Sequence, residues 1–294
     1  MNKTILLSAV GLMLLASCSS DVLDNKVNNV PENQVALALS GRTTTLMTRS
    51  TSTLPEDLKI GVYSYLKDSA ITAAPYQNRP YTSQTDGTLT SPDTILLKIK
   101  SDYQFSAYAP YLSNVLSSSE LTFPIATDVL WSPAQTLLNV SQNNKSVALA
   151  FGHRAAQITF TVGFDDTFVG DKTFTDASQL TVTGFYPTGR LNITSGALIP
   201  EGTQTFSLNG VLTGTGSTAS LSIPATCFAS SLVEMPLNIT IKHLGKTYHG
   251  SLSKVFVSGT SYVYTILVGT LNLPLGLTGT LQDWVSQSET ISIK

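Results

Sequence analysis

At 294 residues the chain is long enough for one large domain or two ordinary ones, each with its own core. Charged residues make up 12%, against about 25% in ordinary soluble domains, and Ser, Thr, Gly and Asn take many polar positions instead. The net charge of −2, with no basic stripe and no run of like charges, gives no footprint for nucleic acid.

Residues 1–17 follow the plan of a signal peptide: Lys3, an apolar run from Ile5 to Leu15, then the small residues Ala16 and Ser17. The run is shorter than the ~20 residues that span a bilayer. Leu15-Ala16-Ser17-Cys18 resembles a bacterial lipobox, which implies cleavage before Cys18 and acylation of that residue. Several acyl chains together give a stable membrane anchor where one alone holds only marginally. Residues 18–33 are polar and without periodicity, as expected of a lipidated tether. Removal of the leader leaves Cys18 and Cys227; with Cys18 acylated, no intrachain disulfide is expected, and Cys227 reads as a buried, inert thiol.

The body opens with QVALALSGRTTTLMTR, residues 34–49, in which Val35, Leu37 and Leu39 alternate with small residues. The spacing predicts one short strand, Val35 to Leu39, followed by the basic residues Arg42 and Arg49 in a Thr-rich stretch. Strand signals then recur: Leu58 to Tyr65, a hairpin around Asp86-Gly87, Ile95 to Lys100, Tyr103 to Tyr108 ending at Pro110, Leu121 to Phe123, and Asp128 to Trp131. A polar break at residues 141–145 predicts a division into an N-terminal domain, 34–144, and a C-terminal domain, 145–294.

From Ser146 to Gly163 the apolar alternation changes phase near Gly152 to Ala156, the mark of a bulge or a bend between sheets. Further strands are expected at Leu180 to Phe185, Arg190 to Thr194, Thr205 to Leu208, Ala219 to Ile223, Leu237 to His243, Thr247 to Leu252 and Ser261 to Val268. Residues 269–288 read as a Gly- and Leu-rich connection carrying Trp284, with Thr290 to Ile293 as a last short strand. No long amphipathic helix is visible, and strands spaced every ~8–12 residues point to β-sandwiches.

Catalytic and cofactor signatures are weak. The three histidines, His153, His243 and His249, lie on expected strands without an HExxH or a Cys/His cluster. His243 and His249 would be neighbours across one hairpin, read as paired surface residues rather than as a metal site. There is no GxSxG, and the GxGxxA string at residues 214–219 precedes a strand, whereas phosphate binding needs a helix N-terminus. Asp165-Asp166 alone does not make a calcium loop. The expectation is a protein that is not an enzyme and holds no cofactor.

Five stretches in order carry a resemblance. They are Thr48-Arg49 ahead of Lys59-Ile-Gly-Val-Tyr63; the Tyr103 to Tyr111 strand closing in Tyr-Ala-Pro-Tyr; Asp128-Val-Leu-Trp131; Val147 to Ala156; and Tyr262 to Ile266 followed by Asp283-Trp284. Together they are similar to the fimbrillin family, the type V pilins of Bacteroidales. The resemblance implies two transthyretin-like β-sandwich domains in tandem and an outer-membrane lipoprotein precursor destined for the cell surface. It also implies an arginine-specific protease that cuts after Arg49 or Arg42, removing the lipid at Cys18 together with the strand of Val35, Leu37 and Leu39. A strand from another pilin subunit would then fill the gap, giving a fimbrium used in adhesion.

A donor segment of Thr290 to Ile293 is short for a stalk subunit, which favours a tip or anchor role. Asp68-Ser69-Ala70 and Asp93-Thr94-Ile95 resemble a bacterial O-glycosylation pattern, making Ser69 and Thr94 candidate acceptors. The competing expectation is a glycan-binding surface lipoprotein, which would present Trp131 and Trp284 as open aromatic platforms.

Overall fold

The computed structural model describes residues 30–44, 51–115, 119–175, 177–212, 218–227, 234–269 and 285–288. Among them the chain is all-β, interrupted by one short 3-10 turn at Ile71–Ala73. The first half runs β1 (Gln34–Ala36), β2 (Ala38–Thr44), β3 (Thr51–Thr53), β4 (Lys59–Leu66), β5 (Tyr76–Ser83), β6 (Thr88–Thr90), β7 (Leu96–Lys98), β8 (Tyr103–Ala109), β9 (Glu120–Pro124), β10 (Leu130–Leu137) and β11 (Ser146–His153). The second half runs β12 (Ala156–Phe164), β13 (Gln179–Phe185), β14 (Thr188–Asn192), β15 (Leu198–Glu201), β16 (Phe206–Val211), β17 (Thr218–Cys227), β18 (Met235–His243), β19 (Lys246–Lys254), β20 (Thr260–Val268) and β21 (Val285–Ser288).

Alternation explains the layers. In β2, β9, β18 and β20 every second residue is buried, so one face of each strand meets a core. In the first half the order β11-β10-β8-β4-β5-β6-β2 closes on itself, because β2 also pairs with β11 in parallel, and β3 extends β2. β1 and β7 form a separate two-stranded ladder over the same core, which holds Val35, Leu37, Leu39, Ile60, Phe105, Leu149 and Phe151. In the second half the sheets β17-β12-β20-β21 and β16-β13-β18-β19 enclose another core around Phe160, Val182, Ile239, Tyr264 and Ile266.

A third sheet, β15-β14-β9, joins the halves, since β9 comes from the first and the β14–β15 hairpin from the second. Beneath it Tyr63, Tyr108, Phe123, Trp131 and Leu191 form a third core. Arg190 of β14 reaches Glu120 of β9 at 3.0 Å and Glu201 of β15 at 3.2 Å across the surface of that sheet.

The opening stretch and the strand after Asp128 differ from what the sequence predicts. The stretch Val35 to Leu39 is not one strand: it changes sheets at Leu37, leaving β7 and joining β11. β11 lies beyond the polar break at 141–145, yet Val147, Leu149 and Phe151 pack in the first core, so the change of core falls after His153. There the phase change seen in the sequence is a bend between sheets: Arg154 donates its N–H to the Val129 carbonyl at 2.7 Å and Ala155 enters the third core. The Asp128 to Trp131 signal also proves to be the start of a longer strand, since β10 continues past Pro133 through an irregularity between Ser132 and Gln135.

Candidate functional site: the seat of the opening strands

β1 and β2 enter the first core from the beginning of the chain. Val35, Leu37 and Leu39 are all but fully buried, whereas Ala38, Ser40 and Arg42 point outward. β1 pairs antiparallel with β7, Val35 opposite Leu97. Leu37 donates its N–H to the Ile95 carbonyl at 3.0 Å, and Ala38 turns the other way to the Lys145 carbonyl at 2.9 Å. From there β2 runs parallel to β11 over six residues, Ala38 to Thr43 against Ser146 to Phe151.

The opposite edge of β2 meets β6 at Leu39 and Ser40, then β3 from Arg42 to Thr44. Between these two, Gly41 donates its N–H to the Gly87 carbonyl at 2.9 Å. β2 is therefore an internal strand, bonded along both edges. Lifting it out would leave β11 and β6 with unpaired ladder groups.

The strands around the seat have holds of their own. The Tyr76 hydroxyl donates to the Leu96 carbonyl at 3.0 Å, and the Tyr103 hydroxyl accepts the Lys98 N–H at 3.2 Å, so β7 is fixed from the side away from β1. The Asp86-Gly87 turn is held by Asp86, which accepts from the Thr88 N–H at 2.8 Å and the Thr88 hydroxyl at 2.7 Å. Those bonds hold the Asp86 carboxyl below the usual carboxylate range. A groove of ≈ 280 Å³ opens on the outer side, lined by Ser40, Gly41, Arg42, Thr53, Asp86 and Gly87 among others.

Gly41 is the residue that sequence reasoning passed over. It continues the buried phase of Val35, Leu37 and Leu39, and a Cβ there would lie 2.7 Å from Leu54 Cδ1 and 3.2 Å from Phe151 Cε2. A glycine in phase with three large apolar residues was the signal available.

Of the two basic residues, Arg42 is exposed but sits inside β2, paired with Ala150 and Thr53. Arg49 and Cys18 lie outside the described residues, as do Trp284 and Thr290 to Ile293. Ser69 is exposed in the turn that follows β4, its N–H donating to the Leu66 carbonyl at 3.0 Å. Thr94 is half-buried beside Ile95.

Trp131 is buried: its indole N–H donates to the Ile193 carbonyl at 2.7 Å, and the Arg154 guanidinium stacks 4.3 Å from the ring centre. Loss of hydration at that position pulls the Arg154 pKa down.

The histidines are not the surface pair expected. His243 points into the second core, its Nε2–H donating to the Asp171 carbonyl at 2.9 Å and its Nδ1 lying 3.0 Å from Ser178 Oγ, with Phe164, Phe168 and Phe174 around it. His249 is exposed beside Thr240 on the other face of the hairpin. The backbone of Cys227 pairs with Ala156, while its side chain and residues 214–217 of the GxGxxA string lie outside the description.

Sheets packed face to face around apolar cores make this an all-β protein of the sandwich class. The chain belongs to the fimbrillin-like family, whose model matches residues 47–284, more than three quarters of its length. The match begins just after β2. Among solved structures, a candidate cell adhesion protein of Bacteroides uniformis is similar at 21% identity and a TM-score of 0.59, covering 85% of this chain and 98% of that one. Another from Bacteroides ovatus is similar at 17% identity and a TM-score of 0.63, covering 86% and 99%. The fimbrial anchor protein Mfa2 of Porphyromonas gingivalis is more distant, at 14% identity and a TM-score of 0.46 over 85% and 99%. No curated protein matches the chain in sequence.

Proposed function

We propose that the chain is a fimbrial subunit, or an accessory tip or anchor protein, acting in cell adhesion at the cell surface. In this reading residues 1–17 direct export and Cys18 carries the lipid that tethers the precursor to the outer membrane. An arginine-specific protease cuts after Arg49, freeing β1 and β2 with the tether, and a strand from a neighbouring subunit takes the vacated seat.

The observation that carries the reading is the double-edged position of β2. A strand at the very start of the body is bonded along both sides and fills the first core. Burial of Val35, Leu37 and Leu39 is worth ~1.5–3 kcal/mol each, so losing all three is comparable with the ~5–15 kcal/mol that holds an ordinary domain together. A subunit without them is strongly driven to bind a replacement strand by β-augmentation. Arg49 is favoured over Arg42 because a protease must draw the substrate into its own cleft as an extended strand, and Arg42 is already paired on both edges.

The exposed turn at Ser69 suits O-glycan attachment better than Thr94, which is half-buried. The glycan-binding alternative loses its main support at Trp131, whose ring lies under Arg154 and against Gly196.

The test is to treat lipid-free precursor with an arginine-specific protease and follow its size by light scattering and electron microscopy. Cleavage after Arg49 with growth of polymers is expected. Processed protein that stays monomeric while keeping its released strand would overturn the assembly reading.

A further inference from the structure

We propose that the groove on the outer side of β2 is a binding site for a hexuronate, a sugar ring bearing one carboxylate, and that the site exists only while β2 is seated. The site goes beyond the assembly reading above; only its effect on strand release rests on that reading.

The groove encloses ≈ 280 Å³, about nine waters at their ~30 Å³ share of liquid volume, which suits a ligand of one ring. Its floor is made of small residues. A Cβ at Gly87 would lie 3.3 Å from the Gly41 carbonyl oxygen, and Ala148 stands opposite Ser40 across the β2–β11 pair. Among the described residues no aromatic and no large apolar side chain lines the groove, so its ligand is polar.

Most of its polar groups are free to bind. Arg42 is exposed, and among the described residues its guanidinium has no hydrogen bond or ion pair, although Asp86 lines the same groove. The Ser40 and Thr53 hydroxyls are likewise without a partner there. Asp86 uses Oδ1 for both of its bonds to Thr88, which leaves Oδ2 for a ligand. Ser52 is the exception, its Oγ lying 2.6 Å from Thr43 Oγ1.

These groups select the ligand. A free guanidinium matches a carboxylate through two parallel N–H bonds. Asp86, kept ionised by Thr88, accepts from hydroxyls and repels a second anionic group. One negative charge with several hydroxyls therefore fits, and a doubly charged phosphate does not. The Ser40 and Thr53 hydroxyls both donate and accept, as the ring hydroxyls of a sugar do.

The groove is divided between the two parts that processing separates. Ser40, Gly41 and Arg42 belong to β2, whereas Thr53, Asp86, Gly87 and Ala148 stay with the body after a cut at Arg49. A ligand that needs both parts binds the seated form alone. At 100 times its dissociation constant it lowers the population with β2 released by about 100-fold. The sugar acid is in this way a brake on strand release.

The experiment titrates lipid-free precursor with sodium glucuronate and reads binding by saturation-transfer NMR on the sugar protons. Saturable binding is expected, with glucose (no carboxylate) and free alanine (no hydroxyls) each at least ~10-fold weaker. Arg42→Gln removes the cation, and Ala148→Leu fills the floor from the retained side. Both positions face outward, so each variant should keep its circular dichroism and bind at least ~10-fold more weakly. Absence of saturation at ~50 mM glucuronate, where a ~1 mM site is full, overturns the site. Undiminished binding by the Ala148→Leu variant does the same, and equal binding of alanine overturns the choice of a sugar. After cleavage at Arg49, saturating glucuronate should slow departure of the fragment ending there by at least ~10-fold, followed by size-exclusion chromatography. Binding without that delay overturns the brake. If the fragment stays even in the absence of glucuronate, the removable strand falls and the brake with it, while the titration upholds the site.

Discussion

Thr44 and Thr51 face each other across the antiparallel pair of β2 and β3, and residues 45–50, Arg49 among them, join the two strands. A cut after Arg49 falls in that connection and separates β2 from β3 and the rest of the chain. A cut after Arg42 would have to pull β2 away from Ala150 and Thr53 first.

Limited proteolysis with an arginine-specific enzyme under native conditions should therefore give a new N-terminus at Ser50. Arg49→Ala should slow processing by at least ~10-fold, because the remaining arginine of the segment needs local unfolding before it is accessible. Arg42→Ala should leave the rate unchanged. N-terminal sequencing and intact mass distinguish the two.

Truncation within the seat should be costly in the precursor. Leu39 packs in the first core between partners on both edges, Val147 on β11 and Leu89 on β6. Leu39→Ala should lower stability by ~2–5 kcal/mol, read as a fall in denaturation midpoint. Gly41→Val should cost ~1–3 kcal/mol by overpacking against Leu54, whereas Gly152→Val, with open space around its Cβ position, should not.

The link between the halves depends on Gly196. Its φ is +71°, and a Cβ would lie 2.4–2.6 Å from the atoms of the Trp131 ring. Gly196→Ala should force the β14–β15 hairpin off Trp131, destabilising the protein by at least ~1–3 kcal/mol and shifting Trp131 fluorescence to the red. Arg154→Ala uncovers the other side of the ring and should shift the emission the same way with a smaller loss, ~0.5–2 kcal/mol for the cation–π contact.

Alkaline pH should unfold the protein through its buried tyrosines. Burial pushes Tyr63 up to about 12 and raises Tyr108 further, with neighbouring tyrosines adding to the effect. A raised folded-state pKa means that the unfolded chain loses its protons first. The stability is therefore whole below pH ~10 and is lost as pH climbs toward the folded values. Tyrosinate absorbance should rise in two stages, exposed rings first and these two only with loss of structure. Tyr63→Phe should move the second stage to higher pH.

Much of the strand content was legible because alternation is local. Lys59–Leu66, Tyr103–Ala109, Met235–His243 and Thr260–Val268 each announce themselves by a period of two within a few residues of their true ends. The burial of Val35, Leu37 and Leu39 followed from the same pattern. His243 and His249 were misread because a hairpin brings residues side by side without saying which face each takes. His243 lies in phase with Met235, Leu237, Ile239 and Ile241, and that phase is the buried one.

The sequence by itself determined that this is a β protein of the fimbrillin-like family, that its opening stretch carries one apolar face, and where most turns fall. Those are consequences of side-chain chemistry over spans of a few residues. Only the tertiary structure decided that the opening stretch crosses from β7 to β11 at Leu37, that β11 completes the first core, and that β9 and β14 stitch the halves together. Each of these pairs residues dozens of positions apart, and no local period encodes which distant edge a strand will meet. The choice is made by the shape of the core that remains to be filled, and at Gly41 by the missing Cβ.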